Sequence, residues 1–143
     1  MLSKILRSLV ILFTIVTFAP VKYTSSELKP YYLEFLEKIE KKCKNGEAFL
    51  PPQRVIIISN LGVQNVGVCY RTNVSFWIII DRYYWDSFND DDKLQVIYHE
   101  LSHCVLQADH IDVELHYMHS YMQRVLKEQI EFQTDELIDR VCK

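Results

Sequence analysis

In Tyr98-His99-Glu100-Leu101-Ser102-His103-Cys104, two histidines stand four residues apart and a glutamate directly follows the first. No other stretch constrains the fold as strongly, because this spacing puts both imidazoles on one face only if the segment is helical. A zinc ion takes nitrogen ligands at about 2.0–2.1 Å in tetrahedral geometry, and an i, i+4 histidine pair offers two of them from one rigid element. Glu100 is then free to accept a proton from the water that such an ion activates. The plainer alternative is a buried helix with two incidental histidines. Against it, all five histidines (His99, His103, His110, His116 and His119) fall between positions 99 and 119.

The periodicity predicts a helix from about Asp91 to Ala108. Leu94, Ile97, Leu101, Cys104, Val105 and Ala108 form one apolar stripe, with Val96, His99, Glu100, His103 and Gln107 away from it. Asn89-Asp90-Asp91-Asp92 supplies a cap and negative charge at the positive end of the helix dipole. Two histidines are too few for a tight catalytic site, so a third ligand must come from beyond the helix. His110 is the expected one, since imidazole is the commoner ligand, and Asp109 is the principal alternative; Asp112, Glu114, His116 and His119 are weaker candidates.

Around this element the chain predicts an α+β fold: a small mixed sheet packed on the motif helix, with amino- and carboxy-terminal helices. Leu28, Tyr32, Phe35, Leu36, Ile39 and Cys43 recur at helical steps between a serine cap near Ser26 and a stop at Asn45-Gly46. Strands are expected over 54–59, 64–71 and 74–81, the last two joined by a tight hairpin at Thr72-Asn73. Ser75-Phe76-Trp77-Ile78-Ile79-Ile80 has little polar alternation, so it should be covered on both faces or lie beside the motif helix. Residues 123–142 read as one or two helices, with Thr134 a cap between them.

Composition sets the compartment and excludes one class of partner. With 16 basic against 19 acidic residues in 143, the chain has no excess positive charge with which to bind nucleic acid. Lys4 and Arg7 precede an uncharged, mostly Leu/Ile/Val/Phe run from Ser8 to Val21, the shape of a secretory signal and short of the ~20 residues a membrane span needs. The expectation is therefore an exported protein, periplasmic or secreted, with residues 1–25 as signal peptide; the alternative is a membrane anchor through residues 1–22. Four cysteines allow three pairings. The preferred pairing is Cys69 with Cys104 and Cys43 with Cys142; Cys104 as a small buried residue is the alternative. No pair has the C-x-x-C spacing of a structural zinc site.

The segment His99-Glu100-Leu101-Ser102-His103-Cys104-Val105-Leu106 through His110 resembles the H-E-L-G-H-C-x-L site, with a third histidine seven residues past the second, of small zincin-type metalloproteases of bacteria and their phages. Ile80-Asp81, Trp85 and Gly67-Val68-Cys69 are similar to that family's approach to the helix. Ser120-Tyr121-Met122 is similar to the S-x-M of a Met-turn, which implies Met122 as the apolar floor under the metal, with Met118 competing for that place. Ser102 replaces a glycine of the pattern, and Leu106 and Asp109 stand where metzincins have glycine and histidine.

The resemblance implies a single zincin-like metallopeptidase domain over residues 26–143 that binds one Zn2+ through His99, His103 and His110, with Glu100 as general base acting on peptide or protein substrates. Tyr117 and Tyr121, with His116 and His119, are candidates for the oxyanion or substrate contact, and Val74 to Ile80 for pairing with an extended peptide. The alternative function is an exported zinc-binding protein without catalysis, for which Glu100 has no use.

Overall fold

A computed structural model describes residues 22–44, 50–62 and 65–143. The leader through residue 21, the helix stop at Asn45-Gly46 and the start of the second expected strand at Gln64 lie outside the described residues. Among those described, no helix is long and apolar enough to cross a membrane.

The chain begins with β1 (Lys22–Thr24), followed by α1 (Lys29–Lys42). The sequence reading missed β1 because it lies directly behind the uncharged run, inside the span given to the leader. The expected serine cap is also absent: Leu28 occupies the cap position, and Pro30 sits in the first turn, where its missing N–H has no intrahelical partner to lose. Leu28, Tyr32, Phe35 and Ile39 are buried on the helix's inner face.

Three further strands follow, β2 (Gln53–Ser59), β3 (Gly67–Arg71) and β4 (Ser75–Asp81), and the sheet order is β1-β2-β4-β3. β1, β2 and β4 run parallel, while β3 pairs antiparallel with β4. The hairpin forms at the expected place. Thr72 N–H donates to Ser75 C=O at 2.8 Å, and the Thr72 hydroxyl accepts from the N–H groups of Val74 and Ser75. β4 is thus paired on both sides and has no free edge for a peptide, contrary to the expectation for Val74 to Ile80; the exposed edge beside the motif helix belongs to β3.

On the sheet's inner face Ile56, Phe76, Ile78 and Ile80 are fully buried against the helices. Burial of each such side chain contributes roughly 1.5–3 kcal/mol. The outer face carries Tyr23, Val55, Trp77 and Tyr70 in one row across all four strands, and it is only partly covered.

A short helix, α2 (Arg82–Ser87), caps on Asp81 and places Trp85 in the core, where its indole N–H donates to Glu27. The motif helix α3 (Asp90–Leu101) runs on into a wider π-helical turn over Ser102–Leu106, so the regular α-helix expected to Ala108 ends at the second half of the motif. The last element is one helix, α4 (Lys127–Val141). Thr134 lies buried in its interior and donates its hydroxyl to Ile130 C=O at 2.6 Å, which makes it a helix-interior residue rather than a cap.

Both preferred disulfides form. Cys43–Cys142 ties the end of α1 to the end of α4, and Cys69–Cys104 ties β3 to the π-turn.

Candidate metal centre

Asn89 caps α3 by accepting the Asp92 N–H at 2.9 Å, and Asp90, Asp91 and Asp92 occupy its first turn. One face of α3 is fixed by the core. Leu94, Ile97, Tyr98 and Leu101 are buried, and Tyr98 meets Phe35 of α1 edge-to-face. The opposite face, with Val96, His99, Glu100 and His103, looks onto β3 across a cleft of 560 Å³.

At the helix end, Gln107 takes a left-handed conformation (φ 55°) and Ala108 N–H donates back to Ser102 C=O at 3.1 Å. This reversal sends His110 back over the motif. Arg71, on β3, donates its guanidinium to the carbonyls of Cys104 and Val105, acceptors that the end of the helix leaves without intrahelical partners. With the Cys69–Cys104 bridge one residue from His103, the π-turn is held at two points by a strand distant in sequence.

His99 Nε2 lies 3.0 Å from His103 Nε2 and 3.2 Å from His110 Nε2. His99 donates its Nδ1–H to Tyr117 C=O at 2.9 Å, and His103 donates its own to Ala108 C=O at 2.6 Å. Each bond fixes the tautomer that leaves Nε2 with a bare lone pair facing the other rings. Three nitrogens at about 2.05 Å from one tetrahedral ion would stand about 3.3 Å apart, close to the two separations from His99, and all three lie within 4.8 Å of one another. The donor set fits a single divalent ion.

Burial favours the neutral form of the two helix imidazoles, His99 and His103. It holds His99 down to about 4, opposed by the bond to the Tyr117 carbonyl and assisted by the neighbouring histidines, and it lowers His103 against the bond to Ala108. Burial pushes Glu100 the other way, up to about 8, in a pocket where it is 6 % exposed. The pocket depends on Gly67. A Cβ there would stand 2.9 Å from both Cγ and Oε1 of Glu100, so the strand can lie this close only without a side chain. Neither Gly67 nor Arg71 was identified from the sequence as shaping the site; only the resemblance drew attention to the glycine.

The other candidates are elsewhere or otherwise engaged. Among the described residues, the convergent group is His99, His103 and His110, without Asp109. Asp112 pairs with His119 Nε2 at 3.0 Å, and His119 Nδ1 accepts the Tyr121 N–H, so both ring nitrogens of His119 are occupied. His116 stacks on Tyr117 and accepts the Met118 N–H.

Tyr117 cannot serve an oxyanion. Its ring is fully buried, its hydroxyl pairs with Ser102 Oγ at 2.8 Å, and burial pushes it up to about 12. What it brings to the site is its carbonyl. Tyr121, 76 % exposed, does line the cleft. Of the two methionines, Met118 is fully buried as a floor residue must be, whereas Met122 is 38 % exposed at the cleft wall.

The class defined by this small mixed sheet and its histidine-bearing helix is the zincin-like α+β fold. Within that class, the family model described as "Putative phage metallopeptidase" matches residues 53–128, from β2 to the start of α4, and the protein belongs to that family. No curated protein and no solved structure matches the chain.

Proposed function

We propose that this member of a metallopeptidase family is an exported zinc-dependent peptidase, in which His99, His103 and His110 hold one Zn2+ and Glu100 is the general base. The observation that carries the reading is the convergence of three imidazoles beside a buried carboxylate, because a purely structural metal site has no use for that acid. The bound ion supplies a Lewis acid that polarises a carbonyl and acidifies water.

The chain supplies the rest. The carbonyls of Tyr117 and Ala108 orient the two helix imidazoles and make them better donors. Glu100 takes the proton from the attacking water and returns it to the departing amine, so the bond to nitrogen breaks without expelling an amide anion. β3 and the two residues before it, Asn65 and Val66, form one wall of the cleft, and an extended peptide that pairs with the β3 edge lies across the three histidines. Tyr121, on the facing wall, is left as the hydroxyl near the developing oxyanion. Export fits the charged and apolar leader and the two disulfides, which persist in an oxidising compartment.

Glu100→Gln tests the mechanism. The variant should keep one zinc per chain and lose at least 100-fold in peptide hydrolysis, the lower bound of a general base's contribution. Undiminished hydrolysis would remove Glu100 from the chemistry, and loss of zinc together with activity would make it a structural residue of the site.

A further inference from the structure

The sheet's outer face has no counterpart in the catalytic reading. Tyr23, Val55, Trp77 and Tyr70 stand side by side across the four strands, and Ile57, Ile79 and Val68 form the next row on the same face. Neither row holds a charged side chain. Tyr23, Trp77 and Tyr70 are 57 %, 48 % and 61 % exposed, while the alternating residues Ile56 and Ile78 are fully buried on the inner face. A sheet apolar on both sides needs a partner on each.

We propose that this face docks on the surface of a lipid bilayer. The uncharged run from Ser8 to Val21 ends where β1 begins, and Tyr23, one residue into that strand, belongs to the outer row. This docking rests on that run being kept as a membrane anchor rather than removed as a signal peptide, so that the anchoring membrane is next to the edge strand that follows it. Tyrosine and tryptophan are the side chains that favour the headgroup region, with an apolar ring and a polar tip. A second copy of the chain is a poorer occupant. Four strands at about 4.8 Å and two side-chain rows at about 6.8 Å make a patch of at most about 260 Å², a third of the roughly 800 Å² per partner that a stable dimer buries. Docked this way, the helices face away from the lipid, and the cleft at the β3 edge opens beside it.

The chain has two tryptophans, and Trp85 is buried at 4 % exposure, so Trp77 reports on the outer face. The experiment uses the full chain with phosphatidylcholine vesicles, plain or brominated on the upper acyl carbons, and subtracts the Trp77→Phe signal. Zinc content and a thermal melt check that the variant folds. Docking predicts that brominated lipid quenches at least half of the Trp77 emission and that vesicles reduce its quenching by iodide severalfold. Three results would overturn the proposal: Trp77 unquenched by brominated lipid and open to iodide in vesicle-bound protein; shielding before lipid is added that depends on protein concentration, which assigns the face to a second copy; or such shielding in the monomer, which assigns it to the chain itself.

Discussion

Replacing Gly67 with alanine adds one methyl group at the point where β3 crosses the general base. The new Cβ would sit 2.9 Å from Glu100 Cγ, 2.9 Å from Oε1 and 3.0 Å from Ile80 Cδ1. Ordinary contact at these atoms is about 3.5–4.0 Å, so something must yield by at least half an ångström. Ile80 is fully buried and β3 is bonded to β4 along its length, which leaves the Glu100 side chain as the softest element. Overpacking of this kind costs about 1–3 kcal/mol, and displacing a reacting group by about 1 Å costs up to 100-fold in rate. The expected result is a peptidase with one zinc per chain, a modestly lower denaturation midpoint, and kcat reduced about 10- to 100-fold with KM little changed. Peptide hydrolysis kinetics beside elemental analysis and denaturant unfolding would measure all three. Wild-type kcat in a folded Gly67→Ala protein would refute the placement of Glu100 as base against this strand.

Arg71→Met strips the donors from the Cys104 and Val105 carbonyls; zinc should exchange faster into a chelator, with a stability loss of about 1–3 kcal/mol in unfolding experiments. Tyr117→Phe keeps the carbonyl that orients His99 and removes only the hydroxyl on Ser102, so zinc affinity and turnover should stay near wild type while the melting temperature falls. In metal-free protein, His99 is held near 4, below its unfolded value of 6.5. A depressed histidine adds stability above pH 6.5 that is lost as pH falls towards 4, about 3 kcal/mol in all, which denaturant titrations across that range would detect. Reducing both disulfides should lower stability further, the 99-residue Cys43–Cys142 separation alone being worth about 4–5 kcal/mol on chain-entropy grounds.

The parts of this fold that were legible in the sequence are those fixed by local spacing. His99 and His103 share a face because they are four apart, and Thr72-Asn73 turns a hairpin because two apolar runs flank it. The features that escaped are set by contacts distant in sequence. The π-turn is held by Arg71 and Cys69, some 30 residues upstream of it, and no helical periodicity announces them. The importance of Gly67 arises only when β3 crosses Glu100. Tyr117 looked chemical because it follows the motif closely, yet its hydroxyl is spent on Ser102. β1 went unread because an apolar leader and an edge strand look alike where they adjoin.

The most direct test is the zinc content of purified wild-type protein beside His99→Ala, His103→Ala, His110→Ala and Asp109→Ala, measured by elemental analysis after dialysis. The geometry predicts one zinc in the wild type and in Asp109→Ala, and a loss of at least tenfold in affinity in each histidine variant. Zinc retained by His110→Ala but lost by Asp109→Ala would contradict it.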